Sequence, residues 1–288
     1  HIMKTIGMYQ ERQITSTLIQ KLINDKSKEF THGTVRRIYT LLKEYFEYAI
    51  AEKQIDRNPI TMVKLPKRQG FIKKESEILF LEDDEVEKIY TTVKEEVTKT
   101  YNSGKWTRNV IALYGNIILF MLNTGVRKGE MQALCYKDLD FDNKFVSIYK
   151  SMSFIKKRDY IKTANKWVFV PPDAERDKTN TNHWVFTQTK SLAGERVIPL
   201  NKKAREAMEE QFKIQKHVGF ADRQFICRTP TGYPLSKSQW TNLLKRILDK
   251  ADIQKPVSPH ELRHTFATRC FSHGVSIEQV SKWLGHED

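Results

Sequence analysis

Residues 258–267 read SPHELRHTFA, a stretch typical of the start of a helix. Ser258 and Glu261 have the spacing of the N-cap and N3 residues of a capping box, and the proline between them takes the first helical position, where a missing N–H costs nothing. His260 then lies in the first turn, with Arg263 on the same face one turn later. Because free N–H groups and the positive end of the helix dipole attract anions, the stretch predicts a phosphate site.

The same letters contain HELRH, the H-E-x-x-H pattern of zinc proteases. On a helix, His260 and His264 would be zinc ligands on one face, and Glu261 would be the base for a zinc-bound water. Arg263 would then hold a positive charge beside a dication, and Ala267 stands where the longer zinc-protease motif has glycine. We therefore expect no metal and no cofactor, and a zinc metalloprotease is the alternative interpretation of this stretch.

The chain of 288 residues is strongly basic, with 49 Lys and Arg against 35 Asp and Glu and a formal net charge of +14. Hydrophobic residues make up 39%, and with only 12 Gly and 9 Pro the composition excludes a collagenous, low-complexity or wholly disordered protein. The length suits two domains, because single cores usually stop growing near about 250 to 300 residues. The basic excess favours a polyanionic partner, nucleic acid rather than an acidic membrane surface.

The longest uncharged stretch, residues 109–126, raises the question of a membrane-spanning helix. Gly115 and Asn116 interrupt it, and Gly125 near its end is typical of the glycine cap of a buried core helix. No secretory signal is visible, and the three cysteines are too scattered for a disulfide framework or a zinc ribbon. These features predict a cytoplasmic protein that does not enter the membrane.

Periodicity predicts a mainly α-helical fold with a small antiparallel β-sheet, in two domains. We place a helical domain at residues 1–66, a basic linker at 67–79 and an α+β domain at 80–288. The predicted helices cover residues 15–24, 34–53, 110–122, 202–216, 237–251, 259–271 and 277–284, and a further helix begins near the acidic run at 82–85 and continues through Ile89 and Val93. The predicted strands cover residues 145–149, 167–170, 184–187 and 196–200, with 191–194 as a hairpin turn joining the last two.

Further basic residues stand next to the predicted ends of helices and strands. Arg127 follows the glycine that ends the core helix, and Glu130 three residues later can orient its guanidinium. Lys190 precedes the predicted hairpin turn, and His286 follows a glycine cap after the last helix. Singly, each also fits an ordinary surface or capping residue, so a phosphate site requires that they converge in the folded chain.

Together these motifs resemble the tyrosine recombinases, the integrase family of site-specific DNA recombinases, and especially the integrases of conjugative transposons and phages. The resemblance is carried by TGVRKGE at 124–130, TK at 189–190, RVIPL at 196–200, HELRHTFA at 260–267 and LGH at 284–286. YFEYA at 45–49 and NP at 58–59 are similar to the family's core-binding domain, so the resemblance covers nearly the whole chain. It implies a helical core-type DNA-binding domain followed by a catalytic domain.

The resemblance also implies a mechanism, the cutting and rejoining of DNA strands through a 3′-phosphotyrosyl intermediate without metal or cofactor. Arg127 and Arg263 would clamp the non-bridging oxygens of the scissile phosphate, since two fixed positive charges stabilise the growing charge of a pentacoordinate transition state. Lys190 would protonate the leaving 5′ oxygen. His260 would act on the proton of the nucleophile, and His286 would bind a phosphate oxygen.

The nucleophilic tyrosine of the family follows the Leu-Gly-His motif by a few helical turns, whereas this chain stops at Asp288 and none of its 11 tyrosines stands in that place. We expect a shortened form of the enzyme, which would be inactive in cleavage. We expect the full-length protein to carry the tyrosine and a tail that docks onto a neighbouring subunit, and to assemble on DNA as a dimer to tetramer. An arm-binding domain ahead of residue 1 is a further expectation.

By the same resemblance the partner is double-stranded DNA of the bacterial nucleoid. Our choices for phosphate contacts in the first domain are Arg36, Arg37, Lys64, Lys67 and Arg68. Two other functions use the same scaffold. A noncatalytic DNA-binding protein is compatible with the absent nucleophile, and a Xer-like resolvase is compatible with the motifs, although such proteins tend to be more compact than residues 142–190 imply.

Overall fold

The computed structural model describes residues 2–67, 79–106, 109–160, 166–168, 182–188, 195–220 and 225–285. The chain divides into two units, His1–Glu77 and Ile78–Asp288. Most described residues are helical and the strands pair antiparallel, so the predicted fold class is confirmed. The predicted limits of the DNA-binding domain, linker and catalytic domain stay predictions, and most of the linker lies outside the described residues.

The first unit contains helices α1 (Met3–Ile6), α2 (Ser16–Glu29) and α3 (His32–Ala51). One face of α3 is apolar at helical spacing, and that face is buried against α2, because water is excluded most fully where two apolar stripes meet. The buried residues of α3 are Val35, Ile38, Leu42, Phe46 and Ala49. The opposite face of α3 is exposed.

The second unit is built around α5 (Val110–Thr124), which is buried along almost its whole length. It packs against α4 (Asp83–Ser103), α7 (Lys202–Val218), α8 (Lys237–Lys250) and α9 (Pro259–Ser272). The predicted core helix is therefore confirmed. No helix within the described ranges is both long and apolar enough to cross a bilayer.

The short helices α6 (Lys128–Ala133) and α10 (Ile277–Leu284) lie at the edge of this core. Helix α6 follows α5 directly and packs on a β-strand, and α10 packs on α9 through a small apolar cluster that includes Phe266, Val280 and Leu284. Both helices begin or end at residues of the candidate site.

The strands of the described chain form two three-stranded antiparallel sheets. The first has the order β1 (Leu139–Asp140), β2 (Phe145–Ile148), β6 (Arg196–Pro199), and the second has the order β3 (Lys150–Lys156), β5 (Asn182–Gln188), β4 (Lys166–Val168). In the first sheet Arg196 lies opposite Ile148.

The predicted hairpin between the strands at 184–187 and 196–200 is wrong. Strand β5 pairs with β3 and β4, whereas β6 pairs with β2 in the other sheet. The prediction failed because the sequence pattern did not reveal β3, the strand that pairs with β5. The chain passes from one sheet to the other at Tyr149, where no glycine or proline marks a break. The proposed turn at 191–194 lies outside the described residues.

Gly125 connects α5 to the candidate site and has two reasons to be glycine. It ends α5 in the left-handed region, with φ +62°, and its N–H donates to the carbonyl of Met121 at 2.9 Å. A Cβ here would also collide with the ring of Phe266 and lie 2.7 Å from Leu284 Cδ2. Helices α9 and α10 therefore approach the end of α5 more closely than any side chain at this position would allow.

Gly125→Ala should destabilise the protein more than Gly219→Ala, a matched change at the end of α7. Gly219 has a φ of +74° but no atom within 4 Å of an added Cβ, so its substitution carries only the left-handed backbone cost of about 1–2 kcal/mol. At Gly125 the collision should add about 2 kcal/mol. The measurement is the free energy of unfolding in urea, and equal losses for the two variants would contradict the packing described here.

Candidate functional site

Arg127 and Glu130 form a local pair at the start of α6. Arg127 is the N-cap, and the carboxylate of Glu130 accepts a hydrogen bond from its backbone N–H at 2.8 Å and from its Nη1 at 2.9 Å. Glu130 is buried, with 4% of its side chain exposed, whereas 44% of the Arg127 side chain is exposed. The buried Glu130 thus holds the Arg127 guanidinium on one side, and the other side is open to solvent.

Arg263 reaches the same place from α9. The predicted capping box at the start of α9 is confirmed, because Ser258 N–H donates to Glu261 Oε2 at 2.8 Å and Ser258 Oγ accepts from the N–H of His260. The side chain of Arg263 is buried and donates from Nη1 to the carbonyl of Gly125 at 2.9 Å. The structure therefore places Arg127 and Arg263, which are far apart in sequence, beside the end of α5.

Arg196, the first residue of β6, is a third member of this cluster that sequence analysis did not select. Its Nη1 and Nη2 donate to the two carboxylate oxygens of Glu130 at 3.0 and 2.7 Å. The strand pattern held a signal for it, because alternation places Arg196 on the same buried face as Ile198. A buried guanidinium needs hydrogen-bond acceptors, and a carboxylate is the strongest of these.

The end of α10 holds the three guanidinium groups together. The carbonyls of three successive residues accept one hydrogen bond each: Trp283 from Arg196 Nε at 2.5 Å, Leu284 from Arg263 Nη2 at 2.6 Å, and Gly285 from Arg127 Nη2 at 3.1 Å. Carbonyls at the end of a helix lack intrahelical partners and carry the negative end of the dipole, so they suit cations.

The cluster has more positive than negative charge. Burial lowers the pKa of Arg263 to about 10, with the charges of Arg127 and Arg196 acting in the same direction against Glu130. Burial raises the pKa of Glu130, but the hydrogen bonds and charges of Arg196 and Arg127 outweigh it, so that pKa lies below its usual value. Among the described residues no carboxylate lies within salt-bridge distance of Arg263. The arrangement suits an anion with several oxygens, such as a phosphodiester.

His260 lies in the first turn of α9, exposed to solvent, one turn before Arg263. The rings of His260 and His264 pack edge to face, with their centroids 4.5 Å apart. Burial lowers the pKa of His264, and neighbouring His260 lowers it further. Glu261, the base of the zinc interpretation, is engaged in the capping box, and the described residues contain no group of three His, Cys, Asp or Glu side chains that could hold a metal ion.

Three of the selected residues lie outside the described part of the chain: Lys190, His286 and Arg68. In the first unit, Arg36 and Arg37 are exposed on α3 and line a shallow cavity of about 350 Å³. Lys64 and Lys67 are also exposed, and the backbone of Lys64 is held by the side-chain amide of Gln20 through hydrogen bonds of 2.8 and 3.0 Å. Their contact with DNA stays a prediction.

A groove of about 1350 Å³ begins at Lys128, the residue after Arg127. Helix α8 and the sheet of β3 and β5 form its sides, and the lining includes Lys128, Phe154, Trp184, Tyr233, Lys237, Asn242 and Lys245. Burial and the charge of Lys237 lower the pKa of Lys128. Within the described ranges neither Lys128 nor Lys237 has a carboxylate within salt-bridge distance. The groove therefore has an unneutralised positive charge beside the arginine cluster.

Comparison with known proteins matches residues 79–288 to the Phage integrase family. The chain is 26% identical over 283 residues to a XerC-like tyrosine recombinase of Caldanaerobacter subterraneus subsp. tengcongensis, covering 96% of this chain and 65% of that protein. It is also 26% identical over 287 residues to the integrase of Staphylococcus phage L54a, covering 96% of this chain and 73% of the integrase. The chain thus spans somewhat less than two thirds of the XerC-like relative.

Two solved structures share the fold. The Tn1549 transposon integrase in complex with transposon right end DNA superposes with a TM-score of 0.65 at 18% identity, covering 98% of this chain and 81% of the integrase. The XerH site-specific recombinase bound to palindromic difH substrate superposes with a TM-score of 0.61 at 15% identity, covering 99% of this chain and 69% of the XerH chain.

Glu130→Gln should destabilise the protein near neutral pH by about 3 kcal/mol, because it leaves the buried guanidinium of Arg196 without its ionic partner. Because the folded-state pKa of Glu130 is lowered, its stabilisation is present above the ordinary carboxyl pKa and is lost as the pH falls through the lowered value. Urea unfolding at a series of pH values should show the wild-type advantage shrinking in acid, and a constant difference would contradict the assignment.

Proposed function

The chain belongs to the phage integrase family of tyrosine recombinases, and on that premise we propose that it cuts and rejoins DNA strands at specific sites for a mobile genetic element. A tyrosine hydroxyl attacks the scissile phosphorus, the new bond joins the tyrosine to the 3′ end, and the bond to the 5′ oxygen breaks. The 5′ hydroxyl of another strand reverses the step. The phosphotyrosyl bond conserves the energy of the phosphodiester, so no nucleotide is consumed.

The observation that supports this proposal is the convergence of Arg127 and Arg263 at the end of α10. Two permanently charged groups with a carboxylate behind them form a preorganised site for a phosphorane, whose charge exceeds that of the ground state. Arg127 is exposed on one side, where a DNA backbone can approach. Some N–H groups of each guanidinium already donate to backbone carbonyls, and these hydrogen bonds keep the guanidinium groups in place before the phosphate binds.

The remaining steps are proton transfers that we assign by family resemblance. His260, exposed in the first turn of α9, takes the proton of the attacking hydroxyl. Lys190 gives a proton to the departing 5′ oxygen, and His286 donates to a phosphate oxygen. The attack itself belongs, by the same resemblance, to a tyrosine that follows the Leu-Gly-His motif in the family.

The groove that begins at Lys128 is the proposed path of the duplex beyond the scissile phosphate. Lysines supply charge to the backbone, and the polar and aromatic side chains of the groove can contact base edges. In the first unit, Arg36, Arg37, Lys64, Lys67 and Arg68 are the proposed phosphate contacts. We propose that the full-length protein assembles on bacterial DNA as a dimer to tetramer.

A Xer-like resolvase is the second candidate, because the relatives include Xer recombinases at the same level of identity as the phage integrase. The two functions share the phosphate chemistry and differ in the DNA that is joined. Mapping the sites to which a tagged full-length protein becomes covalently attached in cells distinguishes them, because a single chromosomal site favours the resolvase and the ends of an element favour the integrase.

Arg263→Met, in a version of the chain that carries the attacking tyrosine, should lower covalent adduct formation by about 10²- to 10³-fold. The dissociation constant for duplex DNA should change less than about threefold, because many other phosphate contacts remain. The same substitution should raise the free energy of unfolding by about 1–3 kcal/mol, since it removes a buried charge that has no ion-pair partner among the described residues.

Adduct is measured on denaturing gels with a nicked duplex, and binding is measured by fluorescence anisotropy. Arg205→Met, which removes a half-buried arginine on α7 that is paired with Glu209, is the control and should leave adduct formation unchanged. The assigned role fails if Arg263→Met weakens binding as much as cleavage. The family mechanism fails if the wild type forms no protein–DNA adduct.

Lys128→Gln and Lys237→Gln should each weaken duplex binding by the 288-residue chain and reduce the salt dependence of binding. Each lost phosphate contact lowers the slope of log affinity against log salt by about 0.9. Lys202→Gln is the matched control, because 89% of that side chain is exposed on α7, away from the groove lining. Unchanged slopes for both groove variants would exclude the groove as a backbone-binding surface.

A further inference from the structure

We infer that Arg196 is a positioning residue, which sets the orientation of Arg127 by tying Glu130 to the end of α10. The inference rests on the proposed function, since it concerns the same phosphate site. It assigns to Arg196 an indirect part in the reaction, through a neighbour that meets the substrate.

Arg196 cannot bind the phosphate itself. Only 5% of its side chain is exposed, and the forked side of its guanidinium is filled by both oxygens of Glu130. Its Nε is occupied by the carbonyl of Trp283. A guanidinium that is held on these sides acts as a brace between two parts of the protein.

The brace joins the two groups on which Arg127 depends. Arg127 contacts Glu130 through Nη1 and the Gly285 carbonyl through Nη2, and Arg196 contacts the same carboxylate and the carbonyl of Trp283, two residues earlier. The spacing between the carboxylate and the end of α10 therefore depends on Arg196. That spacing determines the plane in which Arg127 presents its remaining N–H groups.

Glu130 would behave differently without this brace. Its two oxygens accept four hydrogen bonds, two from the Arg196 fork, one from the Arg127 backbone and one from Arg127 Nη1. If the Arg196 fork is removed, the buried carboxylate has lone pairs without donors, and the nearest mobile donor is the Arg127 guanidinium. Arg127 would then turn toward Glu130 and away from the phosphate.

Arg196→Lys tests this inference because it keeps the positive charge and loses the fork. The first measurement uses the 288-residue chain and inorganic phosphate, followed through the NMR signal of Arg127 Nε–H. We expect apparent phosphate affinity to fall about tenfold, equivalent to about 1.4 kcal/mol. Arg228→Lys is the matched control, a change at another buried arginine whose guanidinium donates to the carbonyl of Phe225, and it should leave the affinity unchanged.

The second measurement uses a version of the chain that carries the attacking tyrosine and compares a phosphodiester with a neutral methylphosphonate at the scissile position. On the phosphodiester, Arg196→Lys should lower adduct formation by about 10²-fold with little change in DNA affinity. On the methylphosphonate the defect should shrink below about fivefold, because a neutral centre has less need of Arg127. A residue that only supports folding would reduce both reactions equally.

A charge-matched double variant covers the case in which Arg196→Lys does not fold. Glu130→Gln with Arg196→Gln removes one positive and one negative charge, leaves the net charge of the cluster unchanged, and permits a neutral hydrogen-bonded pair. It should weaken phosphate binding as Arg196→Lys does. Wild-type phosphate affinity in either folded variant, or equal defects on the two DNA substrates, would overturn the inference. Phosphate binding at Arg127 without adduct formation by the wild type would instead overturn the proposed function.

Discussion

One buried carboxylate, that of Glu130, makes the cationic site possible. Guanidinium groups that converge on one place repel each other, and each would be costly to remove from water without an opposite charge. Glu130 binds two of them directly and lies close enough to influence the third. One negative charge does not neutralise three positive ones, so the site stays attractive to a further anion. Burial lowers the pKa of Arg263, and the neighbouring charges of Arg127 and Arg196 act in the same direction.

Helix α10 links the apolar packing of the second unit to the arginine cluster. The helix is held on α9 by a few apolar side chains, and its last carbonyls bind the three arginines. Gly125 permits this arrangement, because a side chain there would push Phe266 and Leu284 away. A change in the apolar contact would therefore move the carbonyls and, with them, the guanidinium groups. Residues of the apolar contact can in this way affect the positions of the three guanidinium groups.

The family relationship separates what is shared from what is particular to this chain. Recombinases with the same fold differ from it at more than four fifths of aligned positions, and the similar proteins include both Xer recombinases and a phage integrase. A phosphate is the same in every DNA sequence, so a site that binds it, as we propose for the arginine cluster, need not change with the target. In the proposed function the choice of target comes from surfaces that can contact bases, and the groove along α8 is one such surface.

Local signals in the sequence were sufficient for the longer helices and for part of the site, but they did not reveal the short helices α1 and α6. The capping box of Ser258 and Glu261, the buried α5 with its glycine cap and the pairing of Arg127 with Glu130 all join residues within one or two helical turns, so spacing reveals them. The crossing between sheets at Tyr149, the separation of β5 from β6 and the burial of Arg196 against Glu130, 66 residues away, were decided only by the tertiary structure. Partners so distant leave no period in the sequence, because their meeting depends on how whole elements pack.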